Sequence, residues 1–526
     1  MGPIIKRRVY FPHNILLSCS FDTALIAHSA GITANETRAM GIQLNFAPVL
    51  DVARNAYWPR FYETFGEDPF VCASMGQAYI KALQKKPANS FGLAACAKHF
   101  IGYSNPVSGW DRTPSDMSMQ TLHEFFVPPF KAAIESNVGM IMLNSGELNG
   151  QPVHASKDVV TDLLINKLNF KGVVCTDIKD VAKLVEMHKA AHDLKEATLL
   201  AMNAGVDLNM ACDEFGFHET MVQLVHEGKI SEARINQSVR KILQLKFNLG
   251  LFEHPYVDTA QNHIAKNKNW DATRKAAEES IVLLKNKGNL LPLSAAHKNI
   301  MYAGFAVHSK SMLNGAWTYE WKGSEDHRHP NNMLTLFESC QNNLPDKKHV
   351  LFNSYAKDGM PVEADFMAQA SKADVLVITV GEDLYSEFTG NINDLKIDHR
   401  HEILANLAVK SGKPIVLVLV EGRPRLITQI EKNTDAILFA GYPGVCGGNA
   451  IARILSGQVN PSGKLSFTYP AYAGHMVNYN HKASDMYQPL YPFGHGLSYS
   501  HFAYDSLLLD QTVINTEKQL SMASLS

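Results

Sequence analysis

Five times before residue 211 the chain repeats one pattern: an apolar run of strand length ends on polar residues, and a helical stretch follows. The runs are LNFAPVLD ending at Asp51, LAACAKH ending at His99, GMIMLNSGE ending at Glu147, KGVVCTD ending at Asp177, and AGVDLNM near Asp207. Strands that alternate with helices build a parallel sheet. The intervening helices carry their own signals. Leu194, Ala197 and Ala201 share one face of LKEATLLAMNAG, which stops at Gly205, a C-cap residue. Thr161 before DLLINKL reads as an N-cap, as does Asn236 on a helix whose Val239 and Ile242 face inward. A single acidic residue after a strand is most simply the cap of the next helix. Several polar strand ends in succession mark the carboxyl edge of the sheet, where such folds place their active sites.

A second series of runs follows: NIMYAGFA, HVLFNS, ADVLVITVGED, PIVLVLVEGRP and AILFAGYPG. They are Val- and Ile-rich, uninterrupted by charge and bounded by Gly or Pro, as buried parallel strands are. A length of 526 residues exceeds one core, and the two rhythms divide it. Residues 1–255 are expected to form a (β/α) barrel-like domain and residues 296–470 an αβα sandwich. Residues 256–295 join them as a connector, with QNHIAKNKNWD followed by a helical ATRKAAEESIVLLKN. Residues 471–526 are irregular, aromatic and Pro-rich, and end in LLLDQTVINTEKQLSMASLS, a strand-like end with no partner in sequence.

Composition narrows the partners. Lys plus Arg total 49 against 51 Asp plus Glu, a formal charge of −2 with no run of either sign, which argues against nucleic acid. No segment reaches the ~18 apolar residues that a membrane helix needs. Seven cysteines, odd in number and never in CxxC spacing, indicate neither a zinc cluster nor a disulfide scaffold. They read as buried thiols with room for one bridge. Lys6, Arg7 and Arg8 precede only a short apolar patch, a poor match to a signal peptide.

The chemistry-bearing residues point toward carbohydrate. Asp177 ends a rigid apolar strand, as suits a nucleophile that must be held in place. Glu382 and Glu387 lie in GEDLYSEFTGN, on a loop after a strand of the second half that can reach across a domain boundary. Glycoside hydrolysis needs two carboxyl groups about 5 Å apart for retention and farther apart for inversion. One from each domain would meet that need. Lys98 and His99, adjacent at a strand end, are able to hold sugar hydroxyls, although a surface Lys beside a core His fits equally well. Arg60 in YWPRFYETFGED is either a hydroxyl clamp or a surface ion-pair partner. Trp317 and Trp321 in NGAWTYEWKG sit between Gly315 and Gly323, a loop setting in which aromatic faces stack on sugar rings. GYPGVCGG lacks GxGxxG spacing and a Walker lysine, so its glycines are read as allowing close packing rather than as a phosphate cradle.

NFAPVLDV with WPRFYETFGEDP, then AACAKHFIGY, KGVVCTD, ESIVLLKN, WTYEWKG, VGEDLYSE, GGNAIARILSGQVNPSGKLSFTYP and YPFGHGLSY resemble, in order and spacing, the motifs of glycoside hydrolase family 3 from about residue 10 to residue 505. The likeness is to its β-glucosidase and exo-β-glucanase branch. It implies a (β/α) TIM-like barrel joined to an αβα sandwich, with a retaining double displacement at their interface and no metal or organic cofactor. Asp177 stands at the position of the nucleophile and Glu387 at that of the acid/base, with Glu382 its rival. Arg60, Lys98 and His99 match sugar-binding positions, Met142 a position near the bound glycoside, and Trp317 with Trp321 the aromatic pair of the next subsite. The implied substrate is a β-glucoside or oligosaccharide, and relatives are commonly secreted or lysosomal.

Departures from the pattern qualify that expectation. Ile178 follows the nucleophile where the family usually has Trp, and Pro59 makes WPR of the common WGR. The family's barrel begins with further strands, one bearing an Asp that binds the outer sugar hydroxyls, and many members append a fibronectin-type module whose opening the C-terminal run resembles. The chain is therefore expected to be truncated at both ends. Alternatives are a catalytically impaired paralogue that binds sugar or is inactive, a β-xylosidase, and a β-N-acetylhexosaminidase, although no GDSH-like element is found in GYSNPVSGWDRTPSDM.

Overall fold

The computed structural model describes residues 9–86, 92–213, 215–256, 267–474, 477–482, 484, 486–501, 503, 506–509 and 522–525. The five strand runs of the first half form one parallel sheet in sequence order: β1 (Leu44–Asn45), β2 (Ala94–Phe100), β3 (Met140–Leu143), β4 (Val173–Ile178) and β5 (Leu208–Met210). Each strand lies beside the one before it in sequence, and the sheet curls into a half-barrel. β1 is shorter than its apolar run because Pro48 has no N–H for the ladder. Pairing resumes at Val49 opposite Lys98, and the Leu50 N–H donates to the Lys98 carbonyl at 2.6 Å.

Side chains alternate across this sheet with period two. Ala95, Ala97, Ile141, Leu143 and Val174 pack on one face with the helices α1 (Thr23–Arg38), α2 (Pro69–Gln84), α3 (Val127–Glu135) and α4 (Leu194–Ala204). Cys96, Met140, Met142, Val173 and Cys175 form a smaller cluster on the other face, against Ile242 and Leu245 of α5 (Glu232–Leu249). Asp22 and Asp68 cap α1 and α2, with Pro69 starting the latter. Gly205 ends α4 at φ +117°, as expected. Two expected caps fail. Thr161 lies inside the helical segment Asp158–Lys167 and donates to the Ala204 carbonyl at 2.7 Å. The cap of α5 is Ser231, which accepts the Arg234 N–H, so Asn236 falls within the helix and Val239 is exposed while Ile242 packs inward.

The second sheet has the order β8-β7-β9-β10-β11-β6, from β6 (Val282–Asn286), β7 (Asn299–Gly304), β8 (Lys348–Leu351), β9 (Val375–Gly381), β10 (Ile415–Val420) and β11 (Ala436–Phe439). All five apolar runs are parallel strands. The helical reading of ATRKAAEESIVLLKN holds only to the end of α6 (Asn267–Ser280); Val282–Asn286 leaves it to pair antiparallel with β11. The apolar run IVLL is buried at the sheet edge, which a helix continuing on polar α6 would not achieve. The expected connector thus contributes a strand, and 257–266 of it lie outside the described residues. In GYPGVCGG, Gly444 (φ +79°) has room for no side chain: a Cβ would come within 2.5 Å of the Tyr10 carbonyl oxygen.

The C-terminal strand does have a partner: β12 (Ser506–Leu509) and β13 (Met522–Leu525) pair antiparallel, with 510–521 outside the described residues. No cysteine is bridged; five are buried, Cys446 is half-buried and Cys212 is exposed. No described helix is long and apolar enough to cross a membrane.

Candidate active site

The carboxyl edge of the first sheet and the loops after β9 and β10 meet. Arg423 donates to the Tyr57 carbonyl at 2.6 Å, Trp110 Nε1 to the Ile392 carbonyl at 3.0 Å, and the Asp111 N–H to Asn391 Oδ1 at 2.9 Å. These bonds cross from one domain to the other around a group of buried charges.

Asp177 closes β4. Its N–H donates to Asp180 Oδ2 at 2.9 Å, and its own Oδ1 accepts the Ile178 N–H at 2.6 Å. One oxygen is therefore fixed and Oδ2 faces outward, 3.9 Å from Arg112 Nη2. Glu387 opens the turn Glu387–Gly390 with φ +48°, a conformation uncommon for a side-chain-bearing residue. Its Oε1 lies 3.5 Å from Arg60 Nη1 and its Oε2 3.3 Å from Arg112 Nη2. One guanidinium nitrogen thus touches both carboxylates, so their nearest oxygens are no farther apart than the sum of those two distances.

Glu382 is placed differently. It is buried, and its oxygens accept from Arg423 Nε at 2.8 Å, Arg425 Nη1 at 3.2 Å, Tyr385 Oη at 3.0 Å and the N–H groups of Gly422 and Arg423. Its lone pairs are spent on holding the two loops of the second domain together.

Arg60 is buried with both Glu63 oxygens on its fork, at 2.7 and 3.0 Å. Against the upward pull of burial, that guanidinium keeps Glu63 below its ordinary value. His99 Nδ1 is 2.8 Å from Asp51 Oδ2, which also accepts the His99 N–H. Burial disfavours charge on either partner. It lowers His99 well below its ordinary value, helped by Arg60, Lys98 and Arg112, and raises Asp51 to about 8, so the pair is net neutral. Lys98 is buried beside them.

Tyr103 is the floor on which these groups rest. Trp58 and His99 meet its ring edge-on at 5.3 and 4.8 Å, and the Arg60 guanidinium stands 5.7 Å from its centre. Trp58 Nε1, Arg60 Nη1, His99 Nε2 and Asp51 Oδ1 are buried without a hydrogen-bond partner. Such a set of unpaired donors and an acceptor is costly unless a polar ligand completes it.

The other expected residues are spread out. Trp321 packs 5.6 Å from Phe388, the neighbour of Glu387. Trp317 donates its N–H to the Trp321 carbonyl and lines a cavity with Tyr10, His13 and Glu63. Met142 lies in the apolar cluster of the half-barrel's second face. Ile178, at the position after Asp177, is exposed. Among the described residues no group of three or more His, Cys, Asp or Glu is arranged to hold a metal ion.

Arg112, Asp111, Tyr103 and Asp51 were not singled out by their sequence context. Asp51 reads there as one strand end among five. The Asp-Arg pair sits in a Gly- and Ser-rich loop, indistinguishable by spacing from a surface ion pair.

Comparison with known proteins finds relatives over nearly the whole chain. Residues 2–245 match the glycosyl hydrolase family 3 N-terminal domain and residues 281–499 the C-terminal domain. A "lysosomal beta glucosidase" of Dictyostelium discoideum is 39% identical, over 96% of this chain and 64% of that protein. A "beta-xylosidase" of Formosa agariphila is 33% identical, over 96% and 73%. The crystal structure of a β-glucosidase from Listeria innocua in complex with glucose superposes with a TM-score of 0.88 at 30% identity, over 97% of this chain and 72% of that one. The chain thus spans somewhat under two thirds of the first of these relatives, and over nearly all of its own length it belongs to glycosyl hydrolase family 3.

Proposed function

We propose that the protein is a retaining, exo-acting β-glycosidase that releases terminal non-reducing β-D-glucosyl residues. The observation that carries this reading is the meeting of Asp177 and Glu387, one from each domain, on the single nitrogen Arg112 Nη2. Retention needs carboxyl groups about 5–5.5 Å apart; the bound that the shared contact sets is compatible with that separation.

In this reading Asp177 Oδ2 attacks the anomeric carbon while Glu387 protonates the departing oxygen. The C–O bond to the aglycone breaks, and an ester between Asp177 and the sugar forms. Water then gives a proton to Glu387 and attacks the anomeric carbon, which frees the sugar and restores the Asp177 carboxylate. The unpaired groups of Asp51, Trp58, Arg60 and His99 supply donors and acceptors for the sugar hydroxyls, with Lys98 beside them. Trp321 and Phe388 offer an aromatic face to the leaving group.

β-Xylosidase activity is the second reading, favoured by the 33% identity to a protein of that name. Parallel assays of aryl β-glucoside, β-xyloside and β-N-acetylglucosaminide test both. The glucoside is expected to turn over fastest. Faster xyloside turnover would transfer the assignment, and inactivity with retained sugar binding would indicate an impaired paralogue.

A further inference from the structure

The inner face of the half-barrel holds a concentration of sulfur that the chemistry above does not use. Cys96 on β2 and Cys175 on β4 are buried, and their Sγ atoms lie 3.9 Å apart. The two strands are not neighbours, because β3 runs between them. In the ladder Met140 is the partner of Cys96 and Met142 the partner of Cys175, while Ile141 turns its side chain to the other face. The two thiols therefore meet over β3 with one thioether on each side of their contact. These four residues make up all but Val173 of a separate buried cluster. Its cover includes Met210 and, from α5, Ile242 and Leu245, all only half-buried, so the sulfurs lie about one side chain from solvent.

We propose that Cys96 and Cys175, with the thioethers of Met140 and Met142, form a binding site for a soft monovalent cation of the Cu(I) class. At a metal–sulfur distance of about 2.3 Å, the length of a zinc–thiolate bond, trigonal or tetrahedral ligation needs the two sulfurs about 3.8–4.0 Å apart and linear ligation about 4.6 Å. The observed 3.9 Å matches the first class, which leaves positions for the thioethers. Thiolate and thioether are soft ligands, a set that suits Cu(I). Among the described residues no third His, Cys, Asp or Glu joins the pair, as a zinc site would require. Without an ion, burial and the neighbouring Cys96 thiol hold Cys175 protonated, well above its ordinary value. Ligation therefore displaces protons: two thiols and one Cu(I) give a bis-thiolate complex of charge −1 and release two protons to solvent, with no electron transferred. The charged groups that face Cys175 are Lys98, which favours that negative charge, and Asp177, which opposes it. Each stands two residues beyond one of the cysteines on the same strand, so the sulfur layer lies directly beneath the proposed catalytic layer.

The test is anaerobic titration of the full chain with Cu(I) against the chromophoric chelator bicinchoninate, in a Cys212→Ser background that removes the exposed thiol. One ion per chain is expected to be withheld from the chelator, with only sulfur around it at about 2.3 Å in X-ray absorption. Cys96→Ala and Cys175→Ala are each expected to weaken retention about a hundredfold, and the double variant Met140→Leu/Met142→Leu, which conserves core volume, about tenfold. Cys340→Ala, which removes a buried thiol of the second domain, should retain the ion as the parent does. The proposal is overturned by failure to retain the ion, by nitrogen or oxygen neighbours, by retention equal to the parent in a cysteine variant or in the double methionine variant, or by an equal loss in Cys340→Ala. Should a cysteine variant fail to fold, the double methionine variant decides alone: weaker retention supports the site and unchanged retention overturns it.

Discussion

The backbone N–H of Asp177 donates to Asp180 Oδ2 at 2.9 Å, while Asp180 Oδ1 accepts from Lys183 Nζ at 2.9 Å and from Ser145 Oγ at 2.5 Å. A fully buried carboxylate thus ties the end of β4 to its neighbours and fixes the residue proposed as nucleophile. Replacing Asp180 by Ala leaves the Asp177 N–H and the Lys183 ammonium without that partner. Removing one partner of a buried pair costs about 3–5 kcal/mol, so the melting temperature of Asp180→Ala should fall by several degrees and turnover with it. Lys183 and Ser145 hold Asp180 below its ordinary value although burial pushes it up. The stability it contributes is therefore present above about pH 4 and is lost as the pH falls through the lower, folded value. Thermal unfolding followed from pH 6 to pH 2 should show a smaller acid loss in Asp180→Asn than in the wild type.

Glu382 and Glu387 should separate by assay. Glu387→Gln should keep a melting temperature near that of the wild type and lower turnover of a poor-leaving-group glycoside by about 10²–10⁴-fold, with a much smaller effect on a dinitrophenyl glycoside that needs no proton. Glu382→Gln leaves the buried Arg423 and Arg425 without their counter-charge and should lower the melting temperature sharply. Stability and leaving-group dependence, measured on both, distinguish an acid catalyst from a structural carboxylate.

The Arg60–Glu63 pair makes a related prediction. Arg60 is 1% exposed and Glu63 3%, so Glu63→Gln leaves the buried cation only its longer contact with Glu387 and costs up to about 3–5 kcal/mol. Arg60→Lys keeps the charge but not the fork and should raise KM for the glycoside more than it lowers stability, as read by kinetics and calorimetry on one preparation.

Legibility in sequence followed how local each signal is. The strands of both sheets show as apolar runs because burial on both faces demands them, and the strand-end positions of Asp177 and His99 follow from the same runs. Val282–Asn286 was missed because it follows the helix-forming KAAEES without a break, and its extended state depends on β11, some 150 residues away. Thr161 and Asn236 have good cap chemistry, but Ser231 meets the first free N–H of α5 earlier, and Thr161 finds the end of α4 instead. Arg112 acquires its place only when a loop of one domain meets Glu387 of the other, and no spacing within either half encodes that meeting.

His154 makes the protein acid-sensitive at higher pH than its carboxylates do. It is fully buried, neither ring nitrogen has a hydrogen-bond partner, and burial lowers its pKa to about 4. An unfolded chain takes up this proton below about pH 6.5 and the folded one only near 4, so the stability is complete above 6.5 and is lost on descending to 4, by about 3 kcal/mol in all. His154→Phe, which keeps an aromatic ring beside His188, should flatten the unfolding midpoint across pH 6.5 to 4. An unchanged slope would place the sensitivity elsewhere.

The proposed chemistry is tested most directly by trapping its intermediate. Incubation with an activated 2-deoxy-2-fluoro-β-D-glucoside, followed by proteolysis and mass spectrometry, should find one glycosyl group per chain on the peptide carrying Asp177. Activity should be lost in step with labelling and return as the ester hydrolyses. A label on another carboxylate, or turnover of β-glucosides without any covalent adduct under these conditions, would contradict the assignment of Asp177 as nucleophile.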